Sequence, residues 1–466
     1  MDKKNSPWLA LIIVLTAPLL SVIDVFIVNV AVPAIQKGIH AADGQIQLVI
    51  AGYLLGYASF LITGGRAGDQ FGRKKVFVWG MLSFTLFSCL CGLSQTPLQL
   101  IITRFFQGLS ASFMVPQTIA FIQMLFPDPK ERAKAIGFYG ITLGAASIIG
   151  QILGGYLSET HFLFDGWRLI FIINLPIGAV ALWAAKRYLF ETEKPPAQRF
   201  DYSGIAILTT GLICLIYPII QGRESGWPLW SVLLLVLSLF IFLFFIYDQQ
   251  RKLKTGINPL IDVSLFHRGF NLSLFAVLFE FMMHTSYLLT SAVFLQKGLN
   301  ISPLKSGIYF IIPGVLFTLS SMIASKLVPK FGKLVPLFGV IITCCSFALQ
   351  VLLFKANVSG VIICFLMGLY GLGNGFILPT LLNLALRTVP QKFAGSAAGV
   401  YSTFQQTASA LGICIIGGIF YNAVSQSHSS ENYVRAFMQS TTANIICLLL
   451  TGLMLLLLPK NSAAKA

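Results

Sequence analysis

Charge is scarce in this chain. Only 10% of its 466 residues are Asp, Glu, Lys or Arg, against about a quarter in soluble domains. Histidine is also sparse. The five residues, His40, His161, His267, His284 and His428, are scattered and offer no metal-ligand spacing,. No nucleophile–base pair stands out, so a membrane enzyme lacks its usual constellation. The eight cysteines form no CxxC pair and all lie within apolar runs. They read as small buried thiols, not as metal or redox centres. No GxxxxGK[ST] segment is present, so the chain has no phosphate-cradling loop for ATP. Long polar stretches are missing too, which leaves no room for a soluble domain; no long outer loop hints at a periplasmic adaptor, and the sequence leaves such a partner open.

What is abundant is apolar surface: 56% of residues, 39 of them Phe. A soluble domain could not shield this from water, whereas a bilayer solvates it. The expected class is an all-α integral membrane protein. Spanning helices of about 20 apolar residues are expected at fourteen places, roughly 8–33, 45–65, 76–95, 98–123, 134–159, 167–188, 203–221, 228–248, 270–296, 305–328, 334–355, 358–386, 396–424 and 438–459. The first follows Lys3 and Lys4 as a signal peptide would. It is too long for one, lacks a small-x-small cleavage site and carries Asp24, so it is read as a retained span.

The net charge of +16 would suggest nucleic acid in a soluble protein, but here its placement matters more. With an inside N-terminus, 24 of the 32 Lys and Arg fall in cytoplasmic segments, seven fall outside, and Arg104 lies within a span. That asymmetry, and the even helix count, put both termini in the cytoplasm of a cell-membrane protein. The turns GGRAGDQFGRKK (64–75) and ASKLVPKFGK (324–333) are both short, basic and glycine-marked, eight helices apart. This spacing predicts a duplicated plan: an N-terminal six-helix bundle (1–190), an inserted helix pair (191–255) and a C-terminal six-helix bundle (256–466). The inserted pair has almost no polar residue at membrane depth and is expected outside the pore.

Ionisable groups within hydrocarbon are costly and mark function by default. Asp24, Arg104 and Glu280 are the three that stand out. Glu280, His284 and Tyr287 share one helical face. Either His284 neutralises Glu280 as a packing device, or a carboxyl with no fixed cation on its helix carries a proton. Asp24 is either half of an interhelical salt bridge or a functional carboxylate. Arg104 must meet a carboxylate, backbone carbonyls or water, and Gln107 and Gly108 lie one turn away. Tyr53, Tyr57, Gln117, Asn374 and Gln405 are further polar groups at depth, each either a packing hydrogen bond or a substrate contact. The fifth span, rich in Gly at 137, 140, 144, 150, 154 and 155, suits a tight helix crossing.

These residues together resemble a known family. Gly65-Arg66-Ala67-Gly68-Asp69-Gln70-Phe71-Gly72-Arg73-Lys74-Lys75 is similar to the signature turn of the major facilitator superfamily. Asp24 with Val28-Asn29-Val30-Ala31-Val32-Pro33, Arg104-x-x-Gln107-Gly108, and Gly166-Trp167-Arg168-x-x-Phe171-x-x-Asn174-x-Pro176-x-Gly178 resemble motifs of its fourteen-helix drug:proton antiporter branch. Ala394-Gly395-Ser396-Ala397-Ala398-Gly399 and Gln405-Gln406 continue the likeness, which covers nearly the whole chain. The resemblance implies a major facilitator fold and gating roles for Asp69 and Arg73, with Glu131 a partner of Arg73. It also implies a part for Arg104 in proton coupling, with Asp24 and Glu280 as the protonated or cation-binding carboxylates. One motif departs. Where the antiporter signature has Gly-Pro-x-x-Gly-Gly, this chain reads Gly150-Gln151-Ile152-Leu153-Gly154-Gly155, with Ala146 at an earlier glycine position. Loss of Pro removes a local kink, which puts the direction of transport in question more than the fold.

The expectation is therefore a monomeric, proton-driven secondary antiporter of the multidrug-efflux, antibiotic-resistance type. It needs no cofactor beyond the proton-motive force and no nucleic acid. Its partners are a small organic substrate, protons and the bilayer. The rival readings are a proton-coupled symporter or exporter of one physiological metabolite, and a sensor that has lost transport.

Overall fold

The computed structural model describes residues 6–160, 165–191, 201–257, 259–387, 389, 394–424 and 429–459. His161 and His428 lie outside the described residues. So does most of the stretch joining the sixth and seventh spans, and the side chains of Ala394, Gly395 and Ser396 are not described.

Among the described residues the chain is helical, with fourteen helices long and apolar enough to span a bilayer. They are α1 (Pro7–Gly38), α2 (Asp43–Phe71), α3 (Arg73–Leu93), α4 (Pro97–Leu125), α5 (Lys130–Glu159), α6 (Gly166–Tyr188), α7 (Tyr202–Glu224), α8 (Leu229–Lys254), α9 (Arg268–Gly298), α10 (Pro303–Phe331), α11 (Leu334–Leu353), α12 (Gly360–Arg387), α13 (Ala397–Val424) and α14 (Ser430–Leu457). All fourteen expected spans are present. Several run a turn or more beyond the apolar run, because helix ends follow caps instead of hydropathy. Thr96, Asp128, Ser302 and Ser429 each accept a backbone N–H of the first turn of their helix, and Pro97 and Pro303 follow directly,. Interruptions also have local causes. The helical ladder breaks at Ile173 and Phe310, just before Pro176 and Pro313, which have no N–H to donate to the next rung,.

The chain divides into two compact units, one comprising residues 1–212 and 241–260, the other residues 213–240 and 261–466. Helices α7 and α8 thus contribute one end to each unit. In the first unit the closest packing is of α2 on α4, α3 on α4 and α1 on α5. In the second it is of α10 on α12, α11 on α12 and α9 on α13. The pairing is the same with every index raised by eight, as duplication requires.

The two glycine-marked turns show why the duplication was visible. Gly72 (φ +97°) and Gly332 (φ +54°) both stop a helix after a phenylalanine, in backbone conformations that disfavour a Cβ,. Just beyond, Lys74 Nζ donates to the carbonyls of Lys186 (2.9 Å) and Leu189 (2.6 Å) at the end of α6. Lys333 Nζ does the same for Leu456 (2.7 Å) and Leu458 (2.5 Å) at the end of α14. A lysine facing orphan carbonyls at a helix C-terminus suits both the hydrogen bonds and the dipole.

The family-like motif opening α6 is a packing device. Arg168 donates to the carbonyls of Gly92 (2.9 Å) and Ser94 (2.6 Å), and Asn174 donates to Ser88 (2.9 Å), whose hydroxyl donates to the Phe171 carbonyl (2.8 Å). These bonds fasten α6 to α3.

A polar hub ties the connecting segment to the first unit. Asp201 accepts from Lys252 (2.6 Å), Gln249 (2.9 Å) and the amides of Gly204 (2.8 Å) and Leu260 (3.0 Å). Arg66 of α2 in turn donates to the carbonyls of Pro259 (2.8 Å) and Leu260 (3.4 Å). Burial would raise the Asp201 carboxyl, but these donors outweigh it and hold it down at about 2,. A carboxylate depressed in the folded state stabilises above its ordinary range and loses that contribution as pH falls through the depressed value. Asp201→Asn is therefore expected to lower the melting temperature of the purified protein by several degrees at neutral pH. The gap between variant and wild type should narrow steadily from about pH 4 towards pH 2. Melting curves across that range check it, and a gap independent of pH would show that the charge of Asp201 is not what the hub uses.

Candidate functional site

In the first unit the buried charges meet. Asp24 and Arg104 are 0% and 1% exposed, and their side chains form an ion pair between α1 and α4. The second carboxylate oxygen accepts from Gln107 Nε2 at 2.8 Å, and Arg104 Nη1 also donates to Gln107 Oε1 at 2.7 Å. Arg104 Nε reaches the Val49 carbonyl of α2 at 3.4 Å, while its guanidinium lies 4.4 Å from the centre of the Tyr53 ring. Tyr53 shares a hydrogen bond with Ser21 of α1 (2.8 Å) and stands edge-on to Tyr57. Three helices are thereby joined at one point.

Close backbone approach makes that junction possible. A Cβ on Gly108 would sit 1.9 Å from the Tyr53 carbonyl oxygen, and one on Gly64 2.0 Å from that of Ser112, so α2 and α4 touch along bare backbone,. Gln117, expected as a substrate contact, is fully buried and donates to the Gly64 carbonyl at 2.8 Å, holding the same crossing. On the other side of α1, Gly150 and Gly154 of α5 lie against the carbonyls of Ile23 and Ile27. Gly155 is buried as well, and Gln151 is 5% exposed with Oε1 lacking a hydrogen-bond partner among the described residues. The departed motif thus abuts the helix turn that carries Asp24. At the basic end, Asp69 pairs with Arg73 (2.7 Å) and Glu131 with Lys134 (2.8 Å).

The second unit is arranged differently. Glu280 of α9 is 0% exposed, and neither carboxyl oxygen has a hydrogen-bond partner among the described residues. His284, one turn on, spends its Nδ1 on the Tyr370 hydroxyl of α12 at 2.8 Å. It therefore does not serve as the neutralising partner weighed from sequence. Tyr287 donates to Gln350 Oε1 of α11 at 3.0 Å and packs against Tyr370, with ring centres 4.2 Å apart. Phe347 stacks on Tyr370 at 5.6 Å, and Asn374 donates to the Tyr370 carbonyl at 3.4 Å. Gln405 of α13 is half-buried. The predicted Glu280–His284–Tyr287 face is real, and it points into an aromatic cluster.

Sequence reasoning missed Ser21, Gln350, Tyr370 and Phe347. Gln350 was readable, as an amide inside an apolar span, but the aromatics were not, because Phe and Tyr are everywhere in this chain. It also left Asp24 and Arg104 as separate questions, since nothing in their spacing of eighty residues says they meet.

With the geometry in hand, comparison with known proteins settles the family. Residues 14–413 match the family model described as Major Facilitator Superfamily. The chain belongs to the major facilitator superfamily. Among curated relatives of this transporter family, it is 33% identical to the "Probable actinorhodin transporter" of Streptomyces coelicolor over 424 residues, covering 89% of this chain and 72% of that protein. It is 30% identical to puromycin resistance protein pur8 of Streptomyces alboniger, covering 88% and 81%. The fold is shared with a bacterial homologue of the human lysosomal transporter Spinster, at 16% identity, a TM-score of 0.69 and 96% coverage of both chains.

The ion pair makes a testable claim about this major facilitator protein. Asp24→Asn leaves Arg104 buried without a counter-charge, a loss of about 3–5 kcal/mol. The double variant Asp24→Asn/Arg104→Gln removes both charges and is expected to melt closer to wild type than Asp24→Asn alone. Losses that merely add would separate the two residues energetically.

Proposed function

We propose that the protein is a proton-coupled exporter of amphipathic or cationic organic compounds, working by alternating access in the cytoplasmic membrane with both termini inside. The observation that carries this reading is the contrast between the two carboxyls buried within the spanning helices, Asp24 and Glu280. Asp24 is held by Arg104 and Gln107, so its charge is already compensated. Glu280 has no such partners, and an ionised carboxylate left alone in hydrocarbon is very costly. Its neutral, protonated form is the one these surroundings tolerate. Loss of that proton becomes affordable when another cation takes its place, and this is the exchange an antiporter needs. The rings of Tyr287, Phe347 and Tyr370, packed on one another in this state, are of the kind that attracts organic cations once parted,. Relatives named for actinorhodin transport and puromycin resistance support a drug-like cargo.

The energetics suffice. A proton-motive force of about 150 mV supplies roughly 3.5 kcal/mol per proton, enough for a gradient of about 300-fold at one proton per substrate. Asp24 and Arg104 then act as the fixed junction of the first unit, and Asp69 and Arg73 as its gate at the basic end. A second reading, a transporter dedicated to one physiological metabolite, draws on Gln151: a buried amide with a free oxygen beside α1 replaces the proline of the antiporter motif.

Proton release from purified, detergent-solubilised protein on addition of a panel of lipophilic cations separates the readings. Wild type is expected to release protons, Glu280→Gln to release none, and Asp69→Asn to release normally while turning over more slowly in vesicles. Undiminished release from Glu280→Gln would remove that residue from the mechanism. Silence of the wild type across the panel would favour the metabolite reading, with Gln151→Pro the first variant to make.

A further inference from the structure

The first unit holds a groove of about 450 Å³ away from its buried ion pair. It lies where α2, α3 and α4 converge near their basic end. Gly80 brings α3 so close to α4 that a Cβ there would lie 2.9 Å from the Met114 amide nitrogen, and Leu109 and Phe113 of α4 form the back wall. Trp79 of α3 and Tyr202 at the start of α7 flank it, 59% and 72% exposed. The walls are overwhelmingly apolar, as for a hydrocarbon chain, and aromatic rings of this kind favour the level of lipid headgroups.

Ser83 and Ser110 also line the groove, but two other polar side chains specify a ligand. Lys75 stands at the groove, exposed, with no partner for its charge among the described residues. Its neighbour Lys74 is already committed to the carbonyls of α6. Deeper in, the Thr63 hydroxyl is buried, its residue only 8% exposed, and it has no hydrogen-bond partner among the described residues. A lone ammonium above an apolar slot repels lipophilic cations, so the slot does not fit the class of compound proposed as cargo. It fits an anionic head joined to a long apolar tail.

We propose that this groove binds one acidic phospholipid from the leaflet at the basic end of the helices. Its phosphate meets Lys75, an ester carbonyl accepts from the Thr63 hydroxyl, and an acyl chain lies along Trp79, Leu109 and Phe113. Basic pockets between spanning helices on the positively charged side recognise acidic lipid headgroups in this way. The site adjoins the signature turn, because Lys75 is two residues past Arg73. Its occupant therefore braces the start of α3 against α2 and α4.

The test reconstitutes the full chain in vesicles of phosphatidylethanolamine with phosphatidylglycerol, re-extracts it in mild detergent and quantifies retained lipid by mass spectrometry. Wild type is expected to retain phosphatidylglycerol in preference to phosphatidylethanolamine. Lys75→Gln should cut that preference about fivefold, the worth of one lysine near the membrane surface. Lys75→Arg should keep it, and Lys130→Gln, a basic residue away from the groove, should match wild type. Ser83→Phe fills the groove and should lose the lipid altogether. Equal retention of the two lipids by wild type overturns the proposal, as does a preference untouched by both Lys75→Gln and Ser83→Phe. Displacement of phosphatidylglycerol from wild type by tetraphenylphosphonium also overturns it, by showing that the groove accepts cations.

Discussion

The ion pair between Asp24 and Arg104 is the constraint around which the first half of the molecule is built. In hydrocarbon a guanidinium has nowhere else to put its charge, so α1 and α4 are committed to one register. Gln107, Tyr53, Ser21 and the Val49 carbonyl then complete a shell that leaves little polar capacity idle. The bare-backbone contacts at Gly64 and Gly108 follow from the same demand, because the side chains reach each other only if α2 and α4 approach without Cβ atoms between them. Among the described residues the second half shows no equivalent pair. Its buried carboxyl, Glu280, has no hydrogen-bond partner among the described residues, while His284 and Tyr287 on the same face bond to Tyr370 and Gln350. One half stores a compensated charge and the other an uncompensated site. In the proposed mechanism that difference divides their labour, the first half serving as the fixed reference and the second as the place where charge changes.

Most of the architecture was legible in the residues. Fourteen apolar runs can only be helices in a bilayer, and the basic, glycine-marked turns at 64–75 and 324–333 announced the repeat that the helix pairings display. Helix ends were less readable, because caps such as Asp128 and Ser302 add polar turns beyond the apolar run. The site was half legible. Asp24, Arg104 and Glu280 stood out because ionisable groups are rare at depth, and the 280–284–287 face followed from helical periodicity. Which groups meet was not, since pairing across eighty residues is a property of tertiary packing. His284 shows the limit: adjacency on a helix suggested Glu280 as its partner, while the tyrosine hydroxyl of a neighbouring helix won the hydrogen bond. Gln117 shows another, as an amide at depth whose donor reaches backbone at a helix crossing.

The motif opening α6 illustrates how a recognition signature and a mechanism can differ. Trp167, Arg168, Asn174 and Gly178 identified the branch, yet the bonds of Arg168 and Asn174 join α6 to α3 and to the turn that follows it. Trp167 lies over Gly38 at the end of α1, where any larger residue would strike the indole. Such residues hold the frame that carries Asp24.

The two lysine-capped turns carry one further consequence. Gly72 and Gly332 superimpose in role, and so do Lys74 and Lys333, but alignment on those glycines sets Asp69 opposite Pro329. The acid that pairs with Arg73 therefore has no counterpart in the second copy, where a rigid imino acid occupies its place and can neither accept a proton nor form an ion pair. Duplication supplied two matching joints, and divergence wired only one of them. A molecule symmetric in its skeleton thus carries at one joint an ion pair that the sequence of the other joint has no acid to form.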